Sequence, residues 1–333
     1  MTRKYSKVIG CGGIGKGLIF HSVDNETLGR NESRLVTLSK AKDYCKLQLV
    51  FFYTAQLLSG NAKVYPIGAV GNDSIGDVLL NLMNRQGMVT DYIEKVNDYP
   101  TMLSVCLQYP DKEGCNISAS NSAAGEVSPR YIRKTLESIG VNEDSILVAV
   151  PEVRIDSRVT FLREGKEKGA FCAASIPVSE AHEFEQAGVY ELCDLIAVNQ
   201  DEARAICGSG LSGEGLFIKT CEYLCNWNKD IQLVVTEGAD GAWCGNSQFR
   251  EYLKPYPANV VNTTGAGDAF LGATIGMISQ GFPLIHSGRE EFPYTATQVA
   301  AVCSGIAIGL EDSIPKSLDK EEVFSRLKQY IQA

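Results

Sequence analysis

Short runs of apolar residues alternate along this chain with stretches whose apolar positions recur at helical spacing. Lys7-Val-Ile-Gly and Ala62-Lys-Val-Tyr-Pro-Ile-Gly read as buried strands, the second running into a glycine-rich turn. Residues 73–86 put apolar side chains on one helix face behind an Asp-Ser start, and Gly87 stops the helix. Further apolar runs follow at Ser145-Ile-Leu-Val-Ala-Val, Gly169-Ala-Phe-Cys-Ala-Ala, Leu195-Ile-Ala-Val and Gln232-Leu-Val-Val-Thr, with helices predicted between them. Strands that alternate in this way with helices predict a mostly parallel sheet covered on both faces.

Two stretches break the rhythm. Gly17-Leu-Ile-Phe-His-Ser, and Met102-Leu-Ser-Val-Cys-Leu-Gln-Tyr followed by Asn116-Ile-Ser-Ala-Ser, read as antiparallel ribbon joined by polar turns. They are assigned to a small β lid, formed by segments near 16–40 and 100–122, beside the main sheet. No repeat, low-complexity tract or Pro/Gly/Ser linker divides the chain, so residues 1–333 are read as one domain carrying that lid.

Composition narrows the function. The chain is 44% hydrophobic and 21% charged, ordinary for a globular protein with a sizeable core. A net charge of −9 leaves no basic footprint for nucleic acid, and no 18-residue apolar run suits a membrane. An acidic chain that binds a phosphorylated ligand must therefore build its positive potential locally. Eleven scattered cysteines without a CxxC pair, and three histidines without HExxH, give a zinc site little support. The odd cysteine count and the lack of a signal-peptide pattern at the N-terminus read as reduced thiols in the cytoplasm.

The strongest chemical signal is Asn262-Thr-Thr264-Gly265-Ala266-Gly267-Asp268, which leads into the helix-like run Leu271-Gly-Ala-Thr-Ile-Gly-Met-Ile. Small residues entering a helix start leave backbone N–H groups pointing outward, where the helix dipole favours an anion. Asp268 then stands in the first turn, within reach of whatever attacks that anion. A capping aspartate is the plain alternative, but a cap does not need Gly-Ala-Gly before it.

This segment resembles the C-terminal signature of the ribokinase (PfkB-type carbohydrate kinase) family, whose usual form is Asp-Thr-Thr-Gly-Ala-Gly-Asp. Other motifs match in order. Val70-Gly71-Asn-Asp73-Ser-Ile-Gly76 is similar to the family's Val-Gly-x-Asp-x-x-Gly turn. Asn199-Gln-Asp-Glu202 is similar to its Asn-x-x-Glu motif, and Thr236-Glu-Gly238-Ala-Asp-Gly241 to its nucleotide-side Thr-x-Gly-x-x-Gly turn. Gly309-Leu-Glu-Asp-Ser313-Ile-Pro315 is similar to the family's Gly-x-x-x-Ser-x-Pro ending.

The resemblance implies a ribokinase-like three-layer α/β/α sandwich with a mostly parallel central sheet and a small β lid. It implies an ATP-dependent phosphotransferase acting on a hydroxyl of a sugar or sugar-like molecule, or of a nucleoside. Asp268 is then the catalytic base, and the Gly265, Ala266 and Gly267 backbone the anion hole. Asn199 and Glu202 would hold hydrated Mg²⁺, although a helix-capping box explains that pair equally well. Thr236, Gly238, Gly241, Thr264 and Gln298 would lie along the nucleotide. Asn262 and Ser313 would flank a monovalent cation such as K⁺, with the usual aspartate charge missing at Asn262. Family lids commonly pair to form homodimers.

The first 60 residues depart from the family. Gly10-Cys-Gly12-Gly13-Ile-Gly15-Lys-Gly carries no carboxylate, and Asp43-Tyr-Cys-Lys46-Leu-Gln replaces the glycine pair that usually helps to grip sugar hydroxyls. Gly13, Gly15, Lys46, Glu152 and Arg34 are the candidate acceptor contacts. Arg34 with Lys16 and Lys46 suggests an acidic acceptor, unless the segment around residues 28–34 is simply a solvated turn. Gly10 to Gly15 also fits GxGxxG, but Lys16-Gly-Leu-Ile-Phe-His reads as strand where a dinucleotide site needs a helix. Gly208-Ser-Gly-Leu-Ser-Gly213 matches the same pattern in a loop. A non-catalytic metabolite-binding relative is the other class, and the intact Asp268 argues against it.

Overall fold

In the computed structural model, which describes residues 4–111, 114–286 and 292–332, the apolar runs assemble into one nine-stranded sheet. Its centre is parallel. β1 (Lys7–Cys11) lies between β5 (Lys63–Gly71) and β9 (Ser145–Ala149), and β6 (Ile93–Val96) extends the β5 side. On the other side β10 (Phe171–Ala174), β11 (Leu195–Asn199) and β12 (Gln232–Thr236) follow in parallel. The antiparallel strands β13 (Ala242–Gly245) and β14 (Arg250–Leu253) finish that edge. This hairpin is absent from the sequence reading, because four-residue strands with one polar loop give too few alternations to register.

Two cores cover the sheet, one on each face. α1 (Lys46–Leu58), α2 (Ser74–Arg85), α9 (Ala266–Ser279), α10 (Ala296–Ile308) and α11 (Lys320–Gln332) bury their apolar stripes on one side. α3 (Pro129–Ile139), α4 (Ile155–Glu167), α5 (Ala181–Gln186), α6 (Val189–Leu192), α7 (Gln200–Cys207) and α8 (Gly213–Leu224) cover the other. This is the expected three-layer sandwich. No helix among the described residues is long and apolar enough to cross a membrane.

A second, five-stranded sheet forms the lid. β2 (Gly15–His21) pairs with β3 (Thr37–Leu38), β4 (Asp43–Tyr44) and β7 (Met102–Gln108), and β7 pairs with β8 (Gly114–Ser118). The β2–β7 pairing is parallel, where the sequence suggests an antiparallel ribbon. The reason is topological: β2 continues the exit of β1 and β7 that of β6, and β1 and β6 both run parallel to β5. The strand reading of residues 17–21 holds, so the GxGxxG segment turns from strand into strand and offers no helix for a dinucleotide.

The motif at 70–76 works as the joint that carries the lid. Asp73 caps α2 through the Gly76 amide (2.8 Å) and accepts the amide (2.8 Å) and hydroxyl (2.8 Å) of Thr101, one residue before β7. These donors hold its carboxyl below the usual range against the opposing effect of burial.

Candidate active site

Where α9 begins, Gly265 takes a left-handed backbone (φ 80°) that a side chain would strain. The Ala266 amide turns back to the Thr263 carbonyl (3.3 Å), whereas the amides of Gly267 and Asp268 meet no acceptor among the described residues. A side chain at Gly267 would enter open space, so this end of the helix faces outward. Within the Gly265 to Gly267 stretch, the Ala266 amide is engaged and the Gly265 and Gly267 amides meet no acceptor among the described residues, and neither does the Asp268 amide.

Asp268, at 15% side-chain exposure, stands 3.2 Å (Oδ1) from Lys46 Nζ at the start of α1. The two helices bring them together. Gly272 faces Val50 and Gly276 faces Thr54 at the same sequence offset that pairs Asp268 with Lys46, so α1 and α9 run parallel and start side by side. The Thr54 hydroxyl ties them by donating to the Gly272 carbonyl (2.9 Å).

Lys46 and Asp268 line a cavity of about 420 Å³ with Asp43, Glu152, Glu202, Thr264, Cys106, Gln108 and Asn116. A larger hollow of about 830 Å³ at the C-terminal end of α1, lined by Gln56, Gly87, Leu318 and Phe324, gathers no comparable set of converging groups. Glu152 accepts the Lys46 amide (3.4 Å) from a strained backbone with φ 77°, a conformation non-glycine residues hold only where their surroundings impose it. Gly13 makes room for it: a side-chain carbon there would meet Glu152 Cβ at 2.4 Å. Gly15 likewise lies against Cys45 and Met102, so both glycines shape the wall and neither grips a ligand through a side chain.

Charge is uneven in this cavity. Burial pushes the Glu152 carboxyl up to about 7; the Lys46 amide opposes the rise and the Asp268 charge adds to it. Burial also raises the carboxyls of Asp43 and Glu202. Burial acts to lower the Lys46 pKa, but Asp268, Glu202 and Glu152 outweigh it and hold the ammonium above its usual value. Asp43, buried at 6% exposure with no partner for Oδ1 among the described residues, lines the cavity at a position that the sequence reading saw only as a missing glycine.

Beside the cavity opens a cleft lined by Asn199, Glu202, Thr236, Gly267 and Lys46. Asn199 and Glu202 do form a capping box. Asn199 Oδ1 accepts the amides of Asp201 and Glu202 (2.9 Å each), and Glu202 Oε2 accepts the Asn199 amide (2.8 Å). The cap fixes both side chains at the cleft and leaves Glu202 Oε1 free of protein hydrogen bonds among the described residues. A carboxylate oxygen presented in this way fits a hydrated Mg²⁺, while the Asn199 oxygen is already engaged twice.

Asn262 is 5% exposed. Its Oδ1 accepts the Thr264 amide (3.0 Å) and Gln108 Nε2 (3.4 Å), and its Nδ2 donates to the Glu311 carbonyl (3.2 Å). One lone pair of the Glu311 carbonyl is thus engaged by an N–H, and Asn262 brings no negative charge to this loop. Ser313, fully enclosed, donates its amide to the Lys42 carbonyl (2.9 Å) and clamps the 310s loop to the start of β4.

Arg34, Gln298, Gly238 and Gly241 line neither the cavity nor the cleft. Arg34 reaches Asp24 (2.8 Å), Glu26 and Glu32 in a local charge cluster and does not line the cavity. This is a turn of mixed charge whose acidic groups cover Arg34, whereas Lys16 is exposed. Gln298 completes the cap of α10 with Thr295 and donates to Glu251 Oε1 (3.2 Å), away from the cleft lining. Gly241 is required by packing, since a side chain would meet the Leu253 carbonyl at 2.2 Å, whereas Gly238 faces open space.

A parallel α/β sandwich with a β lid, and a carboxylate beside a helix N-terminus, are compatible with a phosphotransferase. The profile of the pfkB family carbohydrate kinases matches residues 50–308, and the chain belongs to that family. The ribokinase of Schizosaccharomyces pombe is 24% identical over 278 residues, covering 80% of this chain and 81% of that protein. The fold is similar to the ribokinase of Giardia lamblia (TM-score 0.81, 16% identity, 96% of this chain and 99% of that one). It is also similar to the Burkholderia thailandensis nucleoside kinase solved with inosine (TM-score 0.74, 20% identity, 97% of each chain).

Proposed function

We propose that this kinase transfers the γ-phosphoryl group of ATP to a hydroxyl of a sugar or nucleoside held in the cavity beside Asp268. The observation that carries this reading is the unpartnered Gly267 and Asp268 amides next to the Asp268 carboxylate. An anion seated on those amides lies beside a proton acceptor.

Phosphoryl transfer is loose, so the attacking hydroxyl keeps its proton until late and needs orientation more than ionisation. Asp268 supplies that orientation and takes the proton as the new O–P bond forms. The two amides and the α9 dipole stabilise charge on the phosphoryl oxygens. ATP enters by the cleft at Asn199, Glu202 and Thr236. Glu202 Oε1 would hold Mg²⁺ there, and the ion would supply positive charge to the phosphates.

The acceptor end is walled by Asp43 and Glu152, and its one lysine already faces Asp268. This supports a neutral, hydroxyl-rich acceptor over the acidic one suggested by Arg34. The exposed lid strand β8, with Ile117 at 70% exposure, suits pairing with a second lid in a homodimer. Eleven free cysteines suit a reducing compartment such as the cytoplasm. A phosphotransfer screen with labelled ATP across neutral sugars, nucleosides and sugar acids tests the reading. Transfer to a neutral hydroxyl is the expected result; transfer to none, with ATP intact, would overturn it.

A further inference from the structure

Three of the carboxylates that line the acceptor cavity have partners within the protein. Asp268 faces Lys46, Glu152 accepts the Lys46 amide, and Glu202 accepts the Asn199 amide. Asp43 is the exception. It lines the same cavity, nine-tenths buried, and its Oδ1 meets no donor among the described residues. A buried carboxylate oxygen left in this way costs free energy, and native structures keep such groups where water, an ion or a ligand completes them.

The local fold does not account for the charge. Asp43 stands opposite Gly17 in the β2–β4 pairing, which the backbones make. The carbonyl that clamps the 310s loop belongs to Lys42, which accepts the Ser313 amide (2.9 Å) and hydroxyl (3.3 Å). Instead, β2 makes room for the carboxylate: a side-chain carbon on Gly17 would lie 1.9 Å from Asp43 Oδ2. Burial raises the Asp43 carboxyl, the Ser313 hydroxyl and the Tyr44 amide oppose the rise, and the Asp268 charge adds to it. Asp43 and Asp268 are thus close enough to sense one another across the acceptor end.

We infer that Asp43 is a specificity-determining residue, which accepts a hydrogen bond from a second O–H or N–H group of the acceptor beside the hydroxyl held by Asp268. The inference rests on the kinase reading above and narrows its acceptor to a molecule with two neighbouring donors, a polyol or an amino-substituted polyol. A carboxylate can only accept, so an acceptor group without a hydrogen to give leaves the buried oxygen unpaired. A site built in this way rejects such analogues far more strongly than a site of matching shape alone. Asp43 touches no reacting atom in this arrangement, and its loss should act on KM for the acceptor more than on kcat.

The test compares wild type, Asp43→Asn and Asp43→Leu on the best acceptor from the screen and on its analogues with one hydroxyl at a time replaced by fluorine or by an amino group. Fluorine keeps the size and removes the donor; the amino group keeps a donor. For the parent acceptor, kcat/KM of both variants should fall at least about tenfold, the lower end for a hydrogen bond to a charged group, with most of the change in KM. ADP affinity, measured by calorimetry, should stay within about threefold. At one position the fluoro analogue should lose at least about tenfold on wild type and less than about threefold on Asp43→Leu. The amino analogue at that position should remain a substrate of wild type. Without acceptor, Asp43→Leu should melt at or above wild type, because an unpaired buried charge is gone. A fluorine penalty equal in wild type and Asp43→Leu at every position would overturn the inference and leave the kinase reading intact. So would Asp43 variants within about threefold of wild type on the parent acceptor. A wild-type enzyme that transfers no phosphoryl group would overturn both.

Discussion

A side-chain carbon on Gly272 would lie 2.1 Å from the carbonyl oxygen of Val50, so α9 reaches α1 only because this residue has none. The contact sets where α9 starts and hence where Asp268 stands. Gly272→Ala should destabilise the protein by about 1–3 kcal/mol, the usual cost of overpacking. Turnover should fall further than the folded fraction explains. Gly276→Ala is the control: its added carbon meets atoms at 3.4 Å, and the gain in helix propensity offsets the crowding. Thermal melts and turnover of both variants, measured together, check the pair.

Asp268→Asn keeps the size of the side chain and removes its charge. Turnover should fall at least about a hundredfold, the scale of a positioned general base. Nucleotide affinity should change little, because the carboxylate faces the acceptor cavity. Near-normal turnover would reduce Asp268 to a first-turn helix residue.

Asn262 donates to the Glu311 carbonyl and brings no charge of its own to that loop. The wild-type rate should therefore be flat from zero to high K⁺ at constant ionic strength. Asn262→Asp removes that donor and buries a charge beside the carbonyl. Its rate and melting temperature should both rise with K⁺, the rate by at least about threefold, because hard cations favour charged oxygen ligands. A variant indifferent to K⁺ would show that the loop forms no cation site with either residue.

Glu152 tests the electrostatics of the cavity. Its carboxyl is raised to about 7 in the folded protein from 4.5. The protonated form is thus favoured by folding, and its contribution is complete below about pH 4.5 and lost as pH rises through 7. Glu152→Gln stays neutral throughout. It should melt close to wild type at pH 5 and above it at pH 8, by about 2–3 kcal/mol. A constant difference across that range would mean that Glu152 does not have the raised value.

Much of the sandwich was legible in the chain because its signals are local. The runs at residues 145–150, 195–198 and 232–236 became β9, β11 and β12, and the Asp73 cap and Gly87 stop bounded α2 to within a residue or two. The small residues before Asp268 likewise announced a helix start, which falls at Ala266. Tertiary structure decided what depends on residues far apart in sequence. The parallel β2–β7 pairing follows from where β1 and β6 leave the sheet. The Lys46–Asp268 contact depends on two helices more than 200 residues apart lying side by side. Asp43 and Glu152 face one cavity through folding alone, while Arg34, adjacent to them only in the pattern, is held by its own acidic neighbours. Propensity and periodicity act over a few residues and can be read from the chain; the neighbours of a charge are set by the packing of sheet and helices, and only the folded molecule shows them.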